Sequence, residues 1–323
     1  MSGFGQQVHS MESVVQELQK MYDIIGRREE LTAALISAQA GKHILLEGAV
    51  GVGKTTIALA VATHLKRKFL RIDGDERYTE QKLAGWYDPP LVLAKGYTKE
   101  SFIHGPLSTT MLDGAILLIN ELNRMPEGTQ NVMLSAMDER TIHIPKFGRV
   151  DAKEGFMIIA TQNPDEYIGT SQLSEALKDR FISINLGYQS YEEEARIVSL
   201  RSGCSDRDII DVAVATARMT REEEEIRRGS SVRGAIDLAD IFSTTYGSFD
   251  DDPEKWLLCA KLSFLTKIEL QDFSHEKFLE LLKRLTSKAL QTHSQKGTSA
   301  DTAGTAPKTE IDQVKLAALE KKK

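Results

Sequence analysis

Two short stretches carry the residue types that phosphate chemistry requires. GAVGVGKT, residues 48–55, fits the pattern G-x-x-x-x-G-K-[ST]. Gly48, Gly51 and Gly53, spaced by Ala49, Val50 and Val52, let backbone N–H groups curl around phosphate oxygens at a helix N-terminus. Lys54 adds a point charge for β- and γ-phosphates, and Thr55, followed by Thr56, offers a hydroxyl to Mg²⁺. The second stretch, AILLINELNR, runs from Ala115 through four more apolar residues into Asn120 and Glu121. Glu121 has the chemistry to orient and deprotonate an attacking water. A phosphate-handling strand end is expected to carry Asp before that Glu, and here the first of the two is an amide.

Three further residues have matching chemistry. Asn163 in ATQNP follows a strand, where its amide can hydrogen-bond a γ-phosphate or the water, or can serve as a turn residue before Pro164. Arg180 in LSEALKDRF precedes another strand, and Arg233 in GSSVRGAID opens a helix. As surface residues Arg180 would pair with Asp179 or Glu175, and Arg233 with Asp237 one helical turn on. Their joint appearance in this order favours a shared site over scattered surface charge.

The elements that must position these residues follow from hydrophobic periodicity. MESVVQELQKMY places Met11, Val14, Val15, Leu18 and Met21 on one helical face, and GRREELTAALISAQAG is a second amphipathic helix closed by Gly41. HILLEG, FLRIDG, AILLIN, FMIIAT and FISINL read as five buried strands separated by segments long enough for crossover helices. That alternation predicts an α/β domain with a parallel five-stranded sheet covered on both faces. The phosphate loop lies between a strand and the helix TTIALAVATHL, as its chemistry needs, and the strand ending in Asn120 is expected beside the phosphate-loop strand, at whose C-terminal end ligands bind. From about Gln189 the period is helical throughout, which predicts a small all-helical domain to residue 290. Residues 291–323 are low-complexity and poor in large apolar residues, a flexible tail with a possible short helix in EIDQVKLAALEKKK.

With 323 residues there is ample length for two domains, and 41% hydrophobic with 27% charged residues is ordinary for a globular protein. A net charge of −6 gives no general electrostatic reason to bind nucleic acid or an anionic membrane. Cys204 and Cys259 lack metal-ligand spacing and suit a reducing compartment, and the histidines show no ligand spacing either. No apolar run approaches the ~20 residues of a membrane span, and MSGFGQQVHS has no export pattern, so a cytoplasmic address is expected.

Taken together, HILLEGAVGVGKT, AILLINELNRMPEGTQNVMLSAMDE, IIATQNPDEYIGTSQLSEALKDRF and SSVRGAIDLA resemble the MoxR-type AAA+ ATPases over roughly residues 24–290. The resemblance implies an N-terminal helix (1–23), an αβα nucleotide-binding domain (24–188) and a helical lid (189–290). It implies that Gly48, Ala49, Val50, Gly51, Val52, Gly53, Lys54, Thr55 and Thr56 form Walker A, Asn120–Glu121 Walker B, Asn163 sensor 1, Arg180 an arginine finger and Arg233 a sensor 2 arginine. Arg124 falls on an arginine typical of the family. ATP and Mg²⁺ are the implied cofactors, with Thr55 and Asn120 at the metal. The family generally assembles into rings, often hexameric, and remodels or matures a protein client, frequently a metalloenzyme, with a von Willebrand A partner. Two segments, 88–108 and 140–155, carry the punctuation of inserted hairpins that such a ring could use on a client, or of ordinary surface loops. Two other readings stay open. Asn120 suits a nucleotide-binding scaffold with little hydrolysis, and Lys146, Arg149 and Lys153 on the second hairpin suit a nucleic-acid translocase.

Overall fold

The computed structural model describes residues 2–164, 172–272 and 274–302. These fall into two compact units that part between Glu193 and Glu194. The first is built on a parallel sheet of five strands, β1 (His43–Glu47), β2 (Phe69–Asp73), β3 (Ile116–Asn120), β4 (Met157–Gln162) and β5 (Phe181–Asn185). Their order is β2-β3-β4-β1-β5. The inner strands β1, β3 and β4 are buried along nearly their whole length, whereas β2 and β5 at the edges are half exposed. This order corrects one expectation. The strand ending in Asn120 does not lie beside the phosphate-loop strand, because β4 is inserted between them. The chain leaves β1 for β2 on one side and β4 for β5 on the other, so a crevice opens where the C-terminal ends of β1 and β4 meet.

Side chains alternate between the two faces of the sheet with the period of two that strands impose. Ile44, Leu46, Ile116, Leu118 and Ile159 pack against helices α1 (Ser2–Met21), α2 (Arg28–Gln39) and α3 (Lys54–His64) through Val15, Leu18, Leu31, Leu35, Ile57 and Val61. Leu45, Leu117, Ile119, Ile158 and Ala160 face the other way, onto α4 (Pro106–Asp113) and α5 (Glu127–Asp138) through Met111, Met133 and Met137. Burying both faces holds the strand ends, and the polar residues on them, at fixed positions.

Two antiparallel hairpins extend the sheet domain. One pairs Gly85–Tyr87 with Phe102–His104 and carries the short helix Pro89–Lys95 between its arms. The other pairs Thr141–Ile144 with Gly148–Asp151. Phe102 stacks on Phe147 with ring centroids 4.2 Å apart, and the Lys146 ammonium lies 3.6 Å from the Tyr97 ring centroid, so the two insertions are joined to each other.

The second unit contains most of α6 (Tyr191–Ser202), with α7 (Arg207–Glu222), α8 (Val232–Tyr246), α9 (Pro253–Phe264) and α10 (His275–Thr302). Asp206, Ser231 and Asp252 cap α7, α8 and α9 with side-chain oxygens. Trp256 stacks on Phe242 at 4.0 Å in a core that also holds Phe264 and Phe278. The buried Glu194 carboxylate is held by Arg218 at 3.0 Å and Arg221 at 2.6 Å. Helix α10 runs past Leu290, the last buried apolar residue among those whose burial is described, to Thr302. Extending a helix already nucleated by packing costs little, which accounts for helical backbone in a stretch without apolar periodicity. Residues 303–323, including EIDQVKLAALEKKK, and the segment 165–171 of the Asn163 loop lie outside the described residues. Among the described residues no helix is long and apolar enough to cross a membrane, and no group of His, Cys, Asp and Glu could hold a metal ion.

Candidate functional site

The loop Gly48–Gly53 leaves β1 at its C-terminal end and enters α3 at Lys54. Gly48, Gly51 and Gly53 have φ of 147°, 82° and 96°. At Gly48 an added Cβ would meet the Leu186 carbonyl oxygen at 2.3 Å, so only glycine lets the loop start this close to the chain leaving β5. The first amides of α3 thus open into the crevice between β1 and β4, an anion-binding arrangement by geometry and dipole. Lys54 Nζ donates to the carbonyls of Gly48 at 2.7 Å and Ala49 at 2.8 Å, which folds the ammonium back over the loop.

Beside the loop, a chain of hydrogen bonds joins polar residues of α3, the end of β3 and β4. Thr55 Oγ1 donates to Asn120 Oδ1 at 2.9 Å, and Thr161 Oγ1 donates to the same oxygen at 3.0 Å. Thr161 Oγ1 in turn accepts from the Glu121 N–H at 3.0 Å. Asn120 therefore reaches across the intervening strand to the phosphate loop, although its strand is not adjacent to β1. Because the Thr55 proton points at Asn120, the hydroxyl lone pairs stay available to a cation, and the residues fit a Mg²⁺–nucleotide.

Glu121 has φ 56° and ψ 55°, the left-handed region that a non-glycine residue enters only when surrounding contacts hold it there. That conformation turns the chain off β3 into the short helix Leu122–Arg124. Arg124 Nε lies 2.8 Å from Glu121 Oε2, an ion pair across one turn. Gly74, at the end of β2, donates its N–H to the Asn120 carbonyl at 2.7 Å, and a Cβ there would meet the Glu121 carbonyl oxygen at 2.1 Å. The end of β2 is thus pressed against the turn that presents Glu121.

Asn163 is buried just beyond β4, and its carbonyl accepts from Asn123 Nδ2 at 3.2 Å, tying it to the turn after Glu121. Gly48–Thr56, Asn120, Glu121 and Asn163 therefore lie at one edge of the sheet. Arg180 does not. His43 and Phe181 are partners at the N-terminal ends of β1 and β5, while Glu47 and Asn185 are partners at the C-terminal ends. Arg180, just before Phe181, is a strand length of roughly 15 Å from the phosphate loop at ~3.3 Å per residue. There it donates to Asp138 at 2.7 Å and to the Ala176 carbonyl at 2.7 Å, with Asp179 farther at 3.8 Å, so Asp138 is its main partner rather than either neighbour on its own helix. Arg233 belongs to the second unit, in the first turn of α8 behind the Ser231 cap, and Asp237 pairs with Lys267.

Several residues of the site carry no sequence motif. The Glu47 carboxylate, at the end of β1, accepts from Gln162 and Ser183 and joins β1 to both its neighbours. Asp73 is the register partner of Asn120 on β2. Arg27 is buried with φ 60°, and its guanidinium contacts both the phosphate loop and the chain after β5. The position of Arg27 directly after Gly26, in a break between two amphipathic helices, is the one local sign of a special role. At the opposite edge the buried His43 accepts the Ile158 N–H on Nδ1 at 2.9 Å, and burial, reinforced by the Arg140 charge, lowers its pKa to about 4.

Residues 43–181 match the AAA domain of the dynein-related subfamily. The chain is 29% identical to the gas vesicle ATPase GvpN of Haloferax mediterranei over 63% of each chain. It is 31% identical to the chaperone MoxR1 of Mycobacterium tuberculosis over 61% of this chain and 49% of that one. It thus spans less than two thirds of the length of these curated relatives. Among solved structures, a mutant form of Thermotoga maritima RuvB superposes with a TM-score of 0.52 over 75% of this chain and 72% of that one, at 18% identity, a likeness of fold alone.

Proposed function

Because the chain belongs to the MoxR-type AAA+ family, we propose that it binds and hydrolyses ATP with Mg²⁺ and uses the cycle to remodel a protein client. The observation that carries this reading is the hydrogen-bonded run from Thr55 through Asn120 and Thr161 to the Glu121 backbone, at the mouth of a glycine-built phosphate loop. In the proposed cycle the loop amides and Lys54 hold the β- and γ-phosphates, while Thr55 and Asn120 hold the cation and its waters. The cation supplies charge neutralisation on the phosphates when bound. Glu121 takes the proton from the attacking water, and Asn163 orients that water or the γ-phosphate. Asn120 brings no charge to the cation, so hydrolysis is slow.

A homo-oligomeric ring, a hexamer by family analogy, completes the site. Arg180 sits at the wrong edge of the sheet for its own nucleotide, which supports its acting on a neighbouring subunit's γ-phosphate, released from Asp138 as the ring closes. Arg233 reports the γ-phosphate to the helical unit. A client matured together with a von Willebrand A partner, in the cytoplasm, follows the family pattern. A protein client suits the hairpins better than nucleic acid does, because Lys146 rests on Tyr97 and Arg149 pairs with Asp151 at 2.7 Å.

The test is nucleotide binding and turnover in Lys54→Ala and Glu121→Gln. Lys54→Ala is expected to lose ATP binding while remaining folded, and Glu121→Gln to bind ATP with turnover nearly abolished. Unchanged ATP affinity in folded Lys54→Ala would refute the phosphate-loop assignment.

A further inference from the structure

Arg27 is an expensive residue for what a helix boundary needs. Its side chain is only 7% exposed, its backbone is left-handed, and one nitrogen, Nη2, donates to two carbonyls that are distant in sequence. These are Val52 in the phosphate loop, at 3.0 Å, and Gly187 after β5, at 2.6 Å. Nη1 donates to Glu30 at 2.7 Å. We propose that Arg27 is a positioning residue for the phosphate nest, setting the direction of the Gly53 N–H by holding the Val52 carbonyl.

The argument rests on the peptide plane. The Val52 C=O and the Gly53 N–H belong to one planar trans unit and point in opposite directions. Fixing the carbonyl against Arg27 therefore aims the N–H of Gly53, the residue that caps α3, away from Arg27. Glycine gives this peptide great torsional freedom, so without an external hold the plane can flip and present a carbonyl oxygen to the phosphate instead. The same stretch of chain acts at the other end of the loop, where the Leu186 carbonyl crowds Gly48 and the Leu186 N–H bonds to the Glu47 carbonyl at 2.8 Å. Both ends of the phosphate loop are thus braced against residues 186 and 187, one by close approach and the other through Arg27.

This inference rests on the nucleotide reading above and adds a residue outside the motif. A hydrogen bond to a charged phosphate is strong enough that misaiming one amide is expected to weaken ATP and ADP binding by about 10- to 100-fold. The test titrates ATP and ADP by calorimetry, with Mg²⁺ and in EDTA, against the wild type, Arg27→Met, Arg27→Lys and Glu30→Gln. Arg27→Met, which keeps the apolar stem and removes every donor, is expected to lose affinity in both media, because no cation takes part. Arg27→Lys places several donors on one nitrogen and is expected to recover most of the loss, and Glu30→Gln to bind as the wild type does. In ¹⁵N-glycine spectra, ADP is expected to shift the Gly53 amide strongly in the wild type and weakly in Arg27→Met. If Arg27→Met does not fold, Arg27→Gln replaces it, since its amide is too short to reach both carbonyls. Unchanged ADP affinity in the donor-free variant overturns the inference. So does a Glu30→Gln loss equal to that of Arg27→Met, or a lysine variant as weak as the methionine one. A wild type that binds no nucleotide sinks the functional reading itself, which separates the two failures.

Discussion

Replacing Asn120 by aspartate tests how much the amide slows the proposed cycle. Asn120 Oδ1 accepts from Thr55 at 2.9 Å and Thr161 at 3.0 Å, and aspartate, of the same shape, keeps both bonds. A charged acceptor roughly doubles a hydrogen bond worth about 1 kcal/mol. The change also turns Nδ2, which only donates, into an oxygen able to accept from waters on a bound cation. Repulsion opposes these gains. Asp73 is the register partner of Asn120, one strand spacing of about 4.8 Å away, and its side chain is 63% exposed. Two like charges about 5 Å apart in water-like surroundings repel by at most about 1 kcal/mol, and the Arg71 guanidinium 3.0 Å from the Asp73 carboxylate lessens this. In the nucleotide-free protein gain and repulsion nearly cancel, so Asn120→Asp is expected to change folding stability by no more than about 1 kcal/mol. A bound cation neutralises the repulsion and leaves a net gain of about 1–2 kcal/mol, which is about 5- to 30-fold in turnover or in the Mg²⁺ giving half-maximal rate. The assay is phosphate release at fixed ATP across a Mg²⁺ titration, paired with urea unfolding. If neither rate nor Mg²⁺ requirement moves in a normally stable variant, the amide has no bearing on rate and the reasoning is wrong.

Arg180→Ala is expected to bind ATP yet turn over about 10³-fold or more slowly, the usual effect of losing such an arginine. Mixing it with Glu121→Gln should restore part of the activity, and full activity from an isolated monomer would exclude action between subunits. Glu121→Gln held in ATP is expected to retain a protein client through purification; equal recovery of that protein with Lys54→Ala would show the association to be independent of nucleotide. His43 has a folded pKa near 4 against an ordinary 6.5, so the unfolded chain binds the proton more readily between these values. Its contribution is fully present above pH 6.5 and is lost as pH falls towards 4, by about 3 kcal/mol at 1.36 kcal/mol per unit. His43→Gln keeps an acceptor for the Ile158 N–H, so the stability difference between wild type and variant should shrink by that amount between pH 7 and pH 4. A difference constant over this range would refute the assignment to His43.

What was legible in the sequence was the arrangement of candidate residues that stand next to one another in the chain. The candidate phosphate loop is eight consecutive residues that bring their own amides to the start of a helix, and β3 delivers Asn120 and Glu121 as adjacent residues of one strand end. Five apolar runs alternating with helical periods likewise announced the parallel sheet, because burial on both faces leaves that mark on each strand separately. Strand order left no such mark. A buried run has the same composition whichever strands flank it, and so the insertion of β4 between β1 and β3 emerged only in the folded chain. Everything that depends on that order was equally hidden. Thr161 donates to Asn120 because β4 adjoins β3, and Asp73 faces Asn120 because β2 lies beyond it. The clearest case is Arg27, whose two carbonyl partners lie 25 and 160 residues away. Local propensity cannot encode contacts at such separations; only the packing of the whole sheet brings the three segments within hydrogen-bonding distance.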